Sequence, residues 1–255
     1  MTTLDRSPRN AFLFLLPVLL SSCGEYYYMA NAVNVPLSRE KGEICASGLG
    51  GSARRNTASG PAASNTALEA GSVEFQAAYA LSHHWAVMAN TARFTHGRDV
   101  GRLWEAGAGY HARTDKHLVT EVYAGCGIGR LALNERPVHA TTITMIRGFV
   151  QPNIGYASRN FEMALSARIC PLWYSGFEKN TGDPEDPNSG IPASCRVLVE
   201  PAFTLRAGFR GAKLQLQWCA TQNLGRQFPM VDRTFSLGLY LNINNAFKKT
   251  KAAHP

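Results

Sequence analysis

Charge is scarce in this sequence. Asp, Glu, Lys and Arg make up 17% of its 255 residues, against roughly 25% in ordinary soluble domains. Apolar runs of membrane-helix length are missing too. Residues 11–20 are strongly apolar, but they fall well short of the ~20 residues a helix needs to cross a bilayer, and mean hydropathy is only −0.16. A helical membrane protein is excluded. No HExxH, GxSxG or P-loop pattern occurs, so the common metal-hydrolase, serine-hydrolase and nucleotide motifs supply no chemistry. The six cysteines show no CxxC spacing, which removes the usual zinc and redox signatures. The formal net charge is +8, yet no dense basic block accompanies a nucleic-acid motif, so nucleic acid is not an expected partner. The only basic cluster at an end, Lys248, Lys249 and Lys251, reads as a solvated tail.

What the chain does have is glycine, 23 residues of it, and strict alternation. The clearest stretch is 194–222. Val197, Val199, Phe203, Leu205, Ala207 and Phe209 share one strand face, while Arg196, Glu200, Thr204, Arg206 and Gly208 share the other. After a turn at Arg210-Gly211, Leu214, Leu216, Trp218 and Ala220 alternate with Lys213, Gln215, Gln217 and Thr221. Folding the turn sets Leu205 opposite Leu216, Phe203 opposite Trp218, Arg206 opposite Gln215 and Thr204 opposite Gln217. Such strands are about as long as the 9–11 residues a tilted transmembrane strand requires.

The same pattern predicts strands at 43–50, 71–81, 85–94, 102–113, 117–130, 142–157, 161–174 and 233–244. Val73, Phe75, Trp85, Trp104, Tyr110, Val122, Ile128, Val150, Ile154, Met163 and Leu165 face one way; Glu74, Gln76, Glu105, Glu121, Arg147, Gln151, Glu162 and Arg168 face the other. Across a turn at 114–116, Tyr123 is expected opposite Gly107 and Glu121 opposite Gly109, large against small as a narrow lumen requires. Pro152 and Pro201 suggest bulges. The glycine run at 125–129 lies in a strand pattern, so it does not read as a dinucleotide loop. Tight turns at 82–84, 114–116, 159–160 and 210–211 alternate with longer connections at 51–70, 95–101, 131–141, 175–193 and 223–232. The expectation is an all-β, antiparallel up-and-down transmembrane barrel of about ten strands, with the longer loops external.

The N-terminus reads as an export signal over 1–22, with Arg6 and Arg9 ahead of the apolar stretch. Leu20-Ser21-Ser22-Cys23 resembles the bacterial lipobox, which implies cleavage before Cys23 and acylation of that residue with palmitate-like chains. The stretch from Cys23 to Glu43, and Asn34-Val35-Pro36-Leu37 with Glu40-Lys41-Gly42-Glu43 in particular, resembles outer-membrane β-barrel lipoproteins of Bacteroidota. That resemblance implies location and fold, with no catalytic motif to carry over. The expected organisation is a signal peptide at 1–22, a lipidated tether at 23–42, a barrel at 43–247 and a tail at 248–255. An even strand number places both termini on the periplasmic side, so a lipid on Cys23 would reach the inner leaflet. Glu25 is a slender hint of surface display instead.

The inward-facing ions, Glu74, Glu105, Glu121, Glu162, Glu200, Arg147, Arg168, Arg196 and Arg206, read as a structural network of ion pairs filling a narrow lumen. His111 points inward near Glu121, but no Ser-His pair at the outer-leaflet rim is legible. The expected role is a structural or small-pore barrel without an assigned reaction, cofactor or metal. Its partners would be outer-membrane lipid and a ligand at the external loops 51–70 and 175–193. Two alternatives are an outer-membrane lipid-modifying enzyme and a periplasmic lipocalin-like barrel binding an apolar ligand. The lipocalin-like barrel would carry its apolar face inside.

Overall fold

A computed structural model describes residues 28–54, 70–136, 139–175, 195–224 and 230–244. The signal segment 1–22, Cys23, most of the 51–70 and 175–193 connections and the tail 248–255 lie outside the described residues. Eleven strands follow one another: β1 (Ile44–Arg54), β2 (Ala70–Ala80), β3 (Trp85–His96), β4 (Asp99–Arg113), β5 (Leu118–Arg136), β6 (His139–Ala157), β7 (Phe161–Ser175), β8 (Arg196–Gly208), β9 (Ala212–Ala220), β10 (Gln222–Asn223) and β11 (Arg233–Asn242). Apart from the short β10, each pairs antiparallel with the strands before and after it, β9 pairs directly with β11, and β11 closes on β1. β10 is a two-residue continuation of β9 past Thr221, pairing with the same partner, β8. The result is a closed ten-stranded antiparallel barrel, the fold class that alternation predicted.

Closure is possible because every strand can present a polar face inward and an apolar face outward at period two. Val73, Phe75, Trp85, Trp104, Ile128, Leu165, Trp173, Trp218 and Leu239 are exposed on the outer wall, whereas Glu74, Glu105, Arg147, Arg168, Glu200 and Arg206 are buried inside. In the β8–β9 hairpin Leu205 faces Leu216, Phe203 faces Trp218, Arg206 faces Gln215 and Thr204 faces Gln217, as the sequence predicted. Cys126 is exposed on the outer wall, and Cys170 and Cys219 are buried within.

Four expectations are corrected. The connection predicted at 95–101 is a tight hairpin: His96 pairs with Asp99, and Gly97 takes the positive φ of 56° that the turn needs. The loop predicted at 131–141 is also strand, since β5 and β6 pair up to Arg136 and His139. The first stretch reads as a loop because Gly97, Arg98 and Asp99 break the alternation, and the second because Asn134, Glu135, Arg136 and Pro137 do. Across the turn after β4, the register is displaced by two residues: Gly109 faces Tyr123 and His111 faces Glu121. The displacement keeps every side chain on its expected face. It arises because the turn closes at Thr114, whose amide donates to the Leu118 carbonyl (3.0 Å). Finally, Pro152 and Pro201 sit in register without a bulge. The β6–β7 ladder skips the residues around Gly148 and Pro152, then resumes in the same register, as expected where a proline lacks the donor.

The end carrying the turns before β3, β5, β7 and β9 is the turn end; the other is the loop end. The segment before β1 does not stay at the turn end. Tyr28 forms a parallel bridge with Met230 at the loop end. Residues 30–38 then run buried through the barrel, and Arg39 emerges beside Ser158 at the turn end. The tether expected at 23–42 is, over its described part, the filling of the lumen.

Candidate functional site: the filled lumen

An extended segment inside a barrel has no sheet partner, so its amides and carbonyls need donors and acceptors from the wall. The inward side chains provide them. The Ala32 amide donates to Glu74 (2.7 Å), and Gln76 donates to the Ala32 carbonyl (2.8 Å). The Val33 amide donates to Gln217 Oε1 (2.6 Å), whose Nε2 donates back to the Val33 carbonyl (2.8 Å). Gln151 donates to the Asn34 carbonyl (2.6 Å), Arg206 to Val35 (2.7 Å) and the Tyr240 hydroxyl to Pro36 (3.0 Å). The Ser38 amide donates to Glu121 (2.9 Å). A side-chain amide offers one donor and one acceptor together, so inward glutamines reproduce what a neighbouring strand would have supplied.

The segment's own side chains complete two ionic clusters. Toward the loop end, Arg147 donates to Glu105 (2.6 Å), to Asn31 Oδ1 (2.5 Å) and to the Tyr28 hydroxyl. Tyr28 in turn donates to Glu200. Arg168 bridges Glu200 (2.6 Å) and Glu105 (3.6 Å), and donates to the Asn31 carbonyl and side chain. Toward the turn end, Glu162 gathers Arg206 (3.2 Å), Lys213 (2.5 Å) and Arg39 (3.1 Å). The Arg206 guanidinium lies 3.8 Å from the centroid of the Tyr240 ring, a favourable cation–π placement. Glu74 and Glu121 are held by uncharged donors: Ala32 and Ser72 for the first, Ser38 and Asn153 for the second.

Of the residues singled out from the sequence, Glu105, Arg147, Arg168 and Glu200 thus form one cluster, and Glu162 and Arg206 a second. Glu74 and Glu121 bind the threaded backbone. Arg196 is only half-buried at the start of β8 and stands outside both clusters. Cys23 lies outside the described residues. The residues that sequence reasoning did not single out are Tyr28, Asn31, Asn34, Gln76, Gln151, Lys213, Gln217 and Tyr240. The inward parity of the three glutamines was visible; their task was not, because the segment they hold lies more than forty residues away in sequence and pairs with no strand of the wall.

The apolar part of the filling is tight. Val33 and Val35 are 0% exposed. A Cβ on Gly155 would sit 2.5 Å from Leu37 Cδ2 and 3.0 Å from the Met163 carbonyl oxygen, so a side chain there would have to push the Leu37 methyls aside. A cavity of about 60 Å³ remains at the loop end beside Tyr28, Phe94, Leu131 and Met145. That is far below the ~300–1,000 Å³ of a small-molecule site. The interior is therefore ionic and filled, the reverse of what an apolar-ligand barrel needs. Ser38, His111 and Glu121 are close neighbours at the turn end, enclosed and away from the loop-end rim. No cluster of metal-ligating side chains occurs among the described residues. The sequence matches no protein-family model and no curated protein.

Proposed function

We propose that this chain is a lipid-anchored outer-membrane barrel, closed by its own N-terminal segment, that carries its loops and its lipidated Cys23 at the loop end. The observation that carries the reading is polarity. All four tryptophans lie on the outer wall and are exposed, while Glu105, Arg147, Arg168 and Glu200 are buried in the lumen. In water such a wall would leave a continuous apolar belt in contact with solvent, far beyond the few hundred Å² a monomer ordinarily exposes. In a bilayer the same belt meets acyl chains.

The belt has a suitable height. From Trp85 to Arg93 on β3 the outer face runs apolar and then turns basic, ~20 Å along the membrane normal at the usual strand tilt. The filled lumen favours a structural or surface-display role over conduction. The threaded segment bears on the anchor. Cys23 precedes Tyr28 by five residues, a reach of no more than ~18 Å, and Tyr28 is at the loop end. With the loops external, the acyl chains would lie in the outer leaflet, not the inner one.

The test is envelope fractionation, with gels run before and after heating. The expected result is outer-membrane partition and a heat-dependent mobility shift for both wild type and Cys23→Ala, with palmitate labelling lost only in the variant. A soluble Cys23→Ala protein without a heat shift would overturn the membrane reading.

A further inference from the structure

Three arginines stand side by side on the outer wall. Arg93 of β3 is directly opposite Arg102 of β4, and Arg102 is directly opposite Arg130 of β5. All three are exposed. Directly opposed residues on neighbouring strands have Cα atoms only ~4.5–5.5 Å apart, and like charges so placed repel. Among the residues whose side chains are described, the outer face of the strands carries no Asp or Glu, and the ion pairs formed by these residues lie in and around the lumen. A costly row of cations with no counterion among the described side chains calls for an anion from outside.

The wall below the row has matching relief. One step toward the turn end lie Thr91, Trp104 and Ile128; the next step is Ala89, Ala106 and Cys126. The small residues floor a groove of about 700 Å³, walled by Phe75, Trp104 and Ile128. Its exposed lining is apolar, and three of the residues along it, Thr91, Trp104 and Ile128, are each two positions along their strands from Arg93, Arg102 and Arg130. The two features fit the two parts of one molecule: a phosphate on the guanidiniums, where bidentate hydrogen bonding is favoured, and an acyl chain along the groove.

We propose that Arg93, Arg102 and Arg130 with the groove beneath them form a binding site for a phosphate-bearing anionic membrane lipid of the loop-end leaflet. The site rests on the membrane reading above, and the experiment separates the two. The full chain is reconstituted in phosphatidylcholine vesicles, with and without phosphatidylglycerol, and tryptophan quenching is measured with bromine on the acyl chains of one lipid or the other. Trp104 reports the site, and Trp104→Phe identifies its share of the signal. The expected result is that brominated phosphatidylglycerol quenches the Trp104 share as if enriched about fivefold or more over its bulk fraction, the worth of one well-placed arginine. The variant Arg93→Gln/Arg102→Gln/Arg130→Gln should keep the heat-shifted band and lose the enrichment.

Equal quenching by both lipids in a heat-shifted wild-type barrel would overturn the lipid site and leave the membrane reading standing. Enrichment that survives in the triple variant would also overturn it. So would enrichment abolished equally by inorganic phosphate and by chloride of matched ionic strength, which would mean bulk attraction only. Absence of both quenching and heat shift in every vesicle would overturn the membrane reading itself.

Discussion

The Arg147 guanidinium, fully enclosed and bonded to Glu105, Asn31 and Tyr28, illustrates how single residues hold this interior together. A buried ion is tolerable only while all its hydrogen-bonding positions are met. Glu105→Gln keeps the shape and removes the charge, leaving Arg147 and Arg168 short of a counterion. The expected loss is about 3–5 kcal/mol, read as a lower urea midpoint for the heat-shifted band. Replacing Glu105 and Arg147 together by leucine and methionine should lose less than Glu105→Gln alone, because no uncompensated ion remains. A double variant as unstable as the single one would mean that the cluster's worth lies in its contacts to Tyr28 and Asn31. Much of this was visible in the alternation: Glu105, Arg147, Arg168 and Glu200 all have inward parity. What could not be seen was that Asn31 and Tyr28, seventy or more residues away in sequence from any of them, complete the coordination.

The threaded segment, residues 28–38, fills the lumen, so on the membrane reading proposed above it is the element that would set permeability. Its backbone is held by side chains from β2, β6, β8, β9 and β11, so its hold is spread around the whole wall. Gln217→Ala strips Val33 of both its wall bonds, at about 1–3 kcal/mol for each buried group left unpaired. It should leave the segment in place and lower the unfolding midpoint. Excision of residues 28–38 is the stronger probe. In planar bilayers the wild-type barrel should pass no steady ionic current, and the excised barrel, where the heat-shifted band persists, should conduct. Equal steady conductance from the two would mean the segment is not the seal. The strands themselves were legible because period-two patterning is local. The hairpins at His96–Asp99 and Arg136–His139 were not, since Gly97, Arg98 and Asp99 in the first and Asn134, Glu135, Arg136 and Pro137 in the second break the alternation that marks a strand. Nor was the threading: Val33, Val35 and Leu37 alternate with Asn34, Pro36 and Ser38, but Pro36 interrupts any ladder and nothing local to the segment says that a closed wall will surround it.

For the molecule as a whole, the threading bears on where the proposed anchor would lie. The even-strand argument correctly puts the start of β1 and the end of β11 at the turn end, where the Ile44 amide donates to the Asn244 side chain. It says nothing of residues ahead of β1, and these return through the lumen to Tyr28 at the loop end. A barrel of this kind would carry its N-terminal lipid on the same side as its loops, on the far side of the bilayer from its C-terminus. A protease recognition site placed between Cys23 and Tyr28 should therefore be cut in intact cells. The same site placed after Asn244 should be cut only once the envelope is opened. Both insertions fall outside the strands, so the heat-shifted band should be retained and serves as the control for folding. The opposite pattern, with the C-terminal site cut from outside and the N-terminal one protected, would reverse the orientation. Protection of both sites in intact cells would mean that the segment ahead of Tyr28 turns back from the surface, and that the lipid on Cys23 lies in the inner leaflet after all.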